Sequence, residues 1–167
     1  MEDSNRKIEK IFCSIFLGDQ AVGKTVIIDR MMGNEYNSHF ICTTSTDVIN
    51  KTVRRNNKNY LFCFYDTSGY ANFKRASIPY IKKSKCIIYC FSFDNRDSFI
   101  NITKWNELVL YCQLKERPFN ILIGNKSDIE DRKVTNEEIN LLVIKLGIKY
   151  FEVSAKNDKN FDALNYY

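Results

Sequence analysis

The stretch Gly18-Asp19-Gln20-Ala21-Val22-Gly23-Lys24-Thr25 decides the fold, because it joins a strand-like apolar run to a segment with helical periodicity. It matches the pattern G-x-x-x-x-G-K-[S/T] of a phosphate-binding loop. The glycines let backbone N–H groups close around phosphate oxygens, and the following helix N-terminus adds its positive dipole. The lysine of such a loop bridges the outer phosphates, and the hydroxyl residue after it ligates Mg²⁺. The predicted nucleotide contacts are Gly18, Gln20, Ala21, Val22, Gly23, Lys24 and Thr25.

Strand-like and helical segments alternate along the rest of the chain. Apolar runs typical of strands cover residues 10–17, 47–53, 60–66, 86–93, 119–123 and 150–153. Helical spacing covers residues 24–32, 97–112, 137–146 and 161–167. The connection 54–59 is short enough for an antiparallel hairpin, whereas the later strands are separated by helices that act as crossovers. The pattern predicts an α/β P-loop fold whose six-stranded sheet has five parallel strands and one antiparallel strand, flanked by helices.

Composition limits the class of protein. A length of 167 residues, a net charge of +5 and 44% hydrophobic residues suit one domain over 1–167. No apolar run is long enough to span a bilayer, and the start Met1-Glu2-Asp3-Ser4 resembles neither a signal peptide nor a myristoylation site. The scattered Lys and Arg residues favour a solvated surface over nucleic-acid binding. The cysteines form no C-x-x-C pair, so reduced thiols and a cytoplasmic location are expected.

A second motif addresses the base of the nucleotide. Asn125-Lys126-Ser127-Asp128 directly follows the strand 119–123, so its side chains project from the carboxyl end of a strand, where ligands bind in open parallel sheets. An aspartate there can accept hydrogen bonds from the N1–H and exocyclic amine of guanine, whereas adenine has no donors at those positions. The sequence therefore predicts GTP and GDP as cofactors rather than ATP.

The motifs, taken in order, resemble those of the Ras superfamily of small GTPases. Its base motif N-K-x-D corresponds to residues 125–128, its S-A-K to Ser154-Ala155-Lys156, and its D-x-x-G to Asp66-Thr67-Ser68-Gly69. The resemblance implies a Ras-like G domain in which the Ala155 amide meets the guanine carbonyl. It also implies that Asp66 holds Mg²⁺ through water and that the Gly69 amide senses the γ-phosphate. The other implied nucleotide contacts are Tyr36, Phe40, Asn125, Lys126, Asp128, Ser154 and Lys156.

Within that superfamily the chain is similar to Rab proteins. Cys42-Thr43-Thr44-Ser45-Thr46-Asp47-Val48 aligns with the Rab pattern S-T-I-G-V-D-F. Thr43 then takes the role of the switch I threonine, although spacing leaves the adjacent Thr44 as a rival. The implied metal ligands are Thr25, Thr43 and Asp66. The resemblance implies a molecular switch in vesicle or membrane traffic, which meets effectors, an exchange factor and a GTPase-activating protein through switch I (34–47) and switch II (66–82).

Two substitutions depart from the Rab pattern at the catalytic centre. Rabs carry A-G-Q-E where this chain has Ser68-Gly69-Tyr70-Ala71, so Tyr70 replaces the glutamine that orients the attacking water. A phenol cannot present the donor and acceptor of a carboxamide in the same geometry, which predicts slow hydrolysis of GTP to GDP and phosphate. Gln20, where Rabs mostly have a small residue, either crowds the γ-phosphate or partly substitutes for the missing amide. The implied catalytic residues are Lys24, Thr43, Gly69, Tyr70 and Gln20.

Other departures concern partners and the end of the chain. The Rab effector surface carries a glycine and two aromatic residues at the positions of Ser45, Val48 and Tyr65. These substitutions indicate either a different choice of partner or neutral drift on an exposed surface. No cysteine follows Cys112, so the chain is either truncated or not lipid-anchored in the Rab manner. The short last helix favours a chain without the C-terminal tail and part of that helix, and membrane attachment is expected only through a lipidated tail beyond it. The alternative function is a non-cycling GTP-binding scaffold that sequesters partners; an ATP-dependent phosphotransferase is disfavoured by the base motif.

Overall fold

The computed structural model describes residues 7–38 and 42–165, which form a sheet with the strand order β2-β3-β1-β4-β5-β6. The strands are β1 (Ile8–Leu17), β2 (Asp47–Arg55), β3 (Lys58–Asp66), β4 (Cys86–Ser92), β5 (Phe119–Asn125) and β6 (Lys149–Glu152). β2 pairs antiparallel with β3, and the other pairings within this sheet are parallel. The predicted α/β sheet of five parallel strands and one antiparallel strand is confirmed.

Helices cover both faces of the sheet. They are α1 (Lys24–Met32), α2 (Ile78–Lys83), α3 (Arg96–Ile100), α4 (Ile102–Tyr111), α5 (Asn136–Leu146) and α6 (Phe161–Asn165), with a 3-10 segment over Ala71–Ser77. Alternate residues of a strand point to opposite faces, so Ile15 and Leu17 pack on one side and Phe16 on the other. Helices α2 to α5 contribute to the first apolar cluster, and α1 and α6 contribute to the second.

The hairpin between β2 and β3 is tighter than the predicted connection 54–59. Asn56 and Asn57 both have positive φ angles, 50° and 59°, as a two-residue hairpin turn requires. Asparagine tolerates this conformation better than most residues, so the strands continue to Arg55 and resume at Lys58. The turn needs only two residues, and this is why both strands are longer than predicted.

The predicted helix 97–112 is divided at Asn101 into α3 and α4. The Asn101 side chain donates to Asp19 Oδ2 at 2.6 Å, and Trp105 Nε1 in the next turn donates to Asp19 Oδ1 at 2.9 Å. A single carboxylate of the loop after β1 therefore accepts from both residues. The prediction of one continuous helix was wrong here, and the division coincides with this long-range contact.

The remaining boundaries follow the prediction closely. The segment 67–77, predicted to be irregular, contains the 3-10 turn, and Pro79 lies in the first turn of α2, where proline is tolerated. The predicted last helix is described to Asn165, and residues 166–167 of that prediction lie outside the described residues. Within 7–38 and 42–165, no helix has the length and apolar character needed to cross a bilayer.

The start of α5 offers a test of local stability. Thr135 Oγ1 accepts from the Glu138 backbone N–H at 3.3 Å, and Glu138 Oε2 accepts from the Thr135 N–H at 3.0 Å, which forms a capping box. We expect Thr135→Ala to lower the free energy of unfolding by about 1 kcal/mol in urea denaturation. Asn140→Ala, in the exposed middle of α5, is the control and should leave stability unchanged or slightly raised. An equal loss in both variants would contradict the capping role.

Candidate nucleotide-binding site

The phosphate loop lies between β1 and α1 and is held by close backbone packing. A Cβ on Gly18 would lie 2.2 Å from the Cys90 carbonyl oxygen, so a side chain there would force the loop away from β4. Lys24 is buried, and its Nζ donates to the carbonyl oxygens of Gly18 and Asp19 at 2.9 Å each. The ammonium group is thereby held against the loop that is predicted to carry the phosphates.

Asn125, at the end of β5, connects this loop to both base motifs. Its Nδ2 donates to the Val22 carbonyl at 2.9 Å, and its Oδ1 accepts from the Ala155 N–H at 3.1 Å. A Cβ on Gly23 would lie 2.4 Å from Asn125 Nδ2, so the approach depends on a glycine at that position. The structure therefore brings together the phosphate loop, the N-K-S-D motif and the S-A-K motif.

The other predicted base contacts lie around this junction. Asp128 Oδ1 accepts from the Ser154 hydroxyl at 2.6 Å, and Lys126 Nζ forms an ion pair with Asp94 at 2.7 Å. The Ala155 N–H, assigned by resemblance to the guanine carbonyl, donates here to Asn125, so that base contact stays a prediction. The remaining residues are the exposed Lys156 and Tyr36, while Phe40 lies outside the described residues.

Oxygen atoms cluster where the metal is predicted. Thr25 Oγ1 donates to Asp66 Oδ2 at 2.6 Å and lies 3.0 Å from Thr43 Oγ1. Thr43 is partly buried and Thr44 is exposed, so the structure brings Thr43 rather than its rival to this cluster. Asp66 Oδ1 is buried and has no hydrogen-bond partner within the described chain. This all-oxygen set suits Mg²⁺. Among the described residues, no group of three or more His, Cys, Asp or Glu side chains is arranged to hold a metal ion.

Burial shifts the pKa of both charged groups in the cleft. Desolvation lowers the pKa of Lys24, while nearby anionic groups, including Asp66, oppose that shift. Desolvation raises the pKa of Asp66, and the Thr25 hydrogen bond and the charge of Lys24 oppose it. Each ionised form is therefore only partly compensated, and an anion beside Lys24 and a divalent cation beside Asp66 would supply further compensation.

The predicted catalytic residues line a small cavity of about 20 Å³, together with Cys42. A Cβ on Gly69 would lie 2.2 Å from the Gln20 backbone nitrogen, so switch II packs against the phosphate loop through a bare backbone. Tyr70 and Cys42 both line this cavity, and the neighbouring Cys42 thiol raises the pKa of the Tyr70 phenol. Switch I, through Cys42 and Thr43, and switch II, through Gly69 and Tyr70, therefore meet at this cavity. A larger cavity of about 360 Å³ lies beside Lys126, and none of these predicted catalytic residues lines it.

The surface expected to bind effectors differs from the prediction at Tyr65. Tyr65 is only 8% exposed, because alternate residues of β3 point into the layer of α2, where its ring lies 5.0 Å from that of Tyr80. The expectation that Tyr65 contributes to the effector surface was therefore wrong. Val48 and Phe73 are 50% and 47% exposed and remain available to a partner.

Sequence reasoning missed residues that hold these loops together. Asp19 accepts hydrogen bonds from Asn101 and from Trp105 of α4, as described above. Arg30 of α1 donates to the carbonyl oxygens of Ala155 at 2.7 Å and Lys156 at 3.2 Å. Arg132 similarly contacts the base motif. The Arg30 and Ala155 positions are 125 residues apart, so no local pattern could have indicated the contact.

Comparisons with known proteins agree with this arrangement. A family model described as the Ras family matches residues 14–166. The Ras-related protein Rab-9B of Homo sapiens is 34% identical over 151 residues, which cover 87% of this chain and 75% of that protein. The Ras-related protein SEC4 of Saccharomyces cerevisiae is 32% identical over 161 residues, which cover 96% and 74%. The chain therefore belongs to the Ras family of small GTPases, and within that family it is Rab-like.

Proposed function

We propose that this chain binds GTP and GDP with Mg²⁺ and acts as a nucleotide-gated switch in vesicle or membrane traffic. The observation that carries the proposal is the Asn125 amide, which contacts Val22 of the phosphate loop and Ala155 of the S-A-K loop. A nucleotide with its phosphates on the loop then has its base within reach of Asp128. Membership of the Ras family supports the same assignment.

Each group of residues has a proposed role. The backbone of 18–25 and Lys24 hold the phosphates, Thr25 and Thr43 ligate Mg²⁺ directly, and Asp66 does so through water. When bound, Mg²⁺ neutralises charge on the phosphate oxygens. The proposed base contacts are Asn125, Lys126, Asp128, Ser154, Ala155 and Lys156, with Tyr36 and Phe40 beside the purine.

Switching follows from the γ-phosphate. Only GTP offers this group to Thr43 and to the Gly69 N–H, so GTP and GDP favour different arrangements of switch I and switch II. Effectors, an exchange factor and a GTPase-activating protein would read these segments. The exposed Val48 and Phe73 provide apolar contacts for such partners.

Intrinsic hydrolysis is proposed to be slow. Lys24 stabilises charge on the outer phosphates, but Tyr70 replaces the glutamine that orients water, and its side chain lies beside Cys42 in the small cavity. Gln20, beside Gly69 in the same small cavity, either crowds the γ-phosphate or supplies part of the missing amide. An arginine from a partner would raise the rate by about 10³ to 10⁵.

The second candidate is a GTP-binding scaffold that sequesters partners without turnover. The position of Tyr70 beside Cys42 favours it, because the two switches then meet at a contact that does not involve nucleotide. The nucleotide retained by the purified protein separates the two functions. Retained GTP would favour the scaffold, and retained GDP would favour a working switch.

Hydrolysis can be tested at the two divergent positions. We expect single-turnover GTP hydrolysis to be slow in the wild type and to rise at least about tenfold in Tyr70→Gln, because a carboxamide can orient water. Gln20→Ser tests the second position: a faster rate indicates crowding and a slower rate indicates partial substitution. Rates unaltered by either change would refute a catalytic role for both residues.

Base selection can be tested by titration. We expect GTP to bind at least about 100-fold more tightly than ATP, since ATP offers no donors to the partly buried carboxylate of Asp128. Removing Mg²⁺ with a chelator should weaken GTP binding, because Thr25, Thr43 and Asp66 then lack their cation. Equal affinity for ATP and GTP would contradict base selection by Asp128 and would favour the alternative of an ATP-dependent phosphotransferase.

The glycine of switch II offers a third test. We expect Gly69→Ala to weaken a non-hydrolysable GTP analogue by about tenfold and GDP by much less, because the new Cβ displaces the amide proposed to meet the γ-phosphate. Gly33→Ala is the control: its φ of 89° is strained for alanine, but no atom lies within 4 Å of the new Cβ. It should lower stability without changing the ratio of the two affinities. A uniform loss for both nucleotides in Gly69→Ala would exclude the γ-phosphate role.

A further inference from the structure

We propose that Arg132 is a positioning residue for guanine recognition, whose guanidinium fastens the two base loops to each other. The inference rests on the proposed function, since it concerns the same base site. Arg132 lies between β5 and α5, four residues beyond the N-K-S-D motif that ends at Asp128. None of its atoms is assigned to the nucleotide, so its effect passes through the residues that it holds.

The guanidinium contacts both loops at once. Its Nη2 donates to the Ser127 carbonyl at 2.8 Å, inside the first base motif. Nη2 and Nη1 also donate to Glu152 Oε1 at 2.8 Å and Oε2 at 3.1 Å, as a two-point ion pair. Glu152 ends β6, two residues before Ser154 of the second motif. A planar group with several fixed donors suits this geometry, and a lysine does not.

Surrounding contacts strengthen the pair. The side chains of Arg132 and Glu152 are only 29% and 25% exposed, so water screens them less than a surface pair. The guanidinium carbon lies 4.2 Å from the centroid of the Phe93 ring, which is fully buried. Asn160 Nδ2 donates to the Glu152 backbone carbonyl at 2.8 Å. The pair is therefore held by the residue that follows β4, by β6 and by the segment before α6.

The consequence for the base follows from sequence adjacency. Ser127 donates its N–H to the Val153 carbonyl at 3.1 Å and accepts from Arg132 at its own carbonyl, so both sides of this residue are fixed. Asp128 follows directly, and its Oδ1 accepts from the Ser154 hydroxyl. Hydrogen bonds weaken steeply with misalignment, so freeing the Ser127 carbonyl would misalign the carboxylate proposed to read guanine.

The test compares two arginines that form similar ion pairs. Arg96 also donates through two nitrogens to a glutamate, Glu138, but its hydrogen bonds go to that residue and to the Lys133 carbonyl rather than to a base motif. We expect Arg132→Met to raise the GDP dissociation rate about tenfold, and Arg96→Met to change it less than about twofold. The measurement is displacement of a fluorescent GDP analogue by excess GDP in the presence of Mg²⁺.

A second readout separates positioning from general loosening. Inosine diphosphate lacks the exocyclic amine, so the ratio of its affinity to that of GDP reports how well Asp128 meets that amine. We expect the preference for GDP over inosine diphosphate to shrink severalfold in Arg132→Met and to stay unchanged in Arg96→Met. Arg132→Lys, which keeps the charge without the planar set of donors, and Glu152→Gln should each reduce this preference by an intermediate amount. These two variants also provide the test if Arg132→Met does not fold.

The outcomes distinguish this inference from the proposed function. A wild type that fails to bind GDP overturns both. GDP binding with an unchanged dissociation rate and an unchanged preference in the Arg132 variants overturns the inference alone. Equal effects in Arg132→Met and Arg96→Met also overturn it, because they would indicate loss of general stability rather than of base alignment.

Discussion

The buried side-chain amide of Asn125 is the contact on which the rest of the site depends. Its two ends bond to the carbonyl of Val22 and the N–H of Ala155, so the strand that carries it fixes the separation between phosphate loop and base loops. Leaving either group unsatisfied in the interior would cost about 1 to 3 kcal/mol. The contact in turn requires glycine at position 23, because a Cβ would occupy the space of the amide nitrogen. Fold and site therefore share one constraint.

The charges beside this junction indicate a cleft adapted to a ligand. Lys24 and Asp66 are both buried, and burial disfavours the ionised form of each. A phosphate beside the ammonium and a divalent cation beside the carboxylate remove that penalty, so bound nucleotide and folded stability are thermodynamically linked. The hydroxyl groups of Thr25 and Thr43 lie beside the carboxylate and extend its set of oxygen ligands.

The two ends of the cleft differ in how far they depart from the Rab pattern. The base end keeps both motifs, and Arg30 and Arg132 hold its loops by contacts with backbone carbonyls. The end proposed to hold the γ-phosphate carries the departures, since Tyr70 and Gln20 line the same small cavity. Under the proposed function, nucleotide recognition and hydrolysis depend on separate residues, so departures at one end would alter hydrolysis without altering recognition.

The sequence by itself determined the sheet class, the phosphate loop and the base motif, because glycine spacing, apolar runs and strand alternation are local patterns. Three features were decided only by the tertiary structure. Thr43 rather than Thr44 lies beside Thr25, the Tyr65 side chain is buried, and the predicted helix is divided at Asn101. Each of these depends on a partner distant in the chain: Asn101 lies 82 residues from Asp19, and Thr43 lies 18 from Thr25. The same holds for Arg132, whose pairing with a glutamate 20 residues away exists only once β6 joins the sheet. Local patterns specify elements, but the contacts between elements form when the core packs.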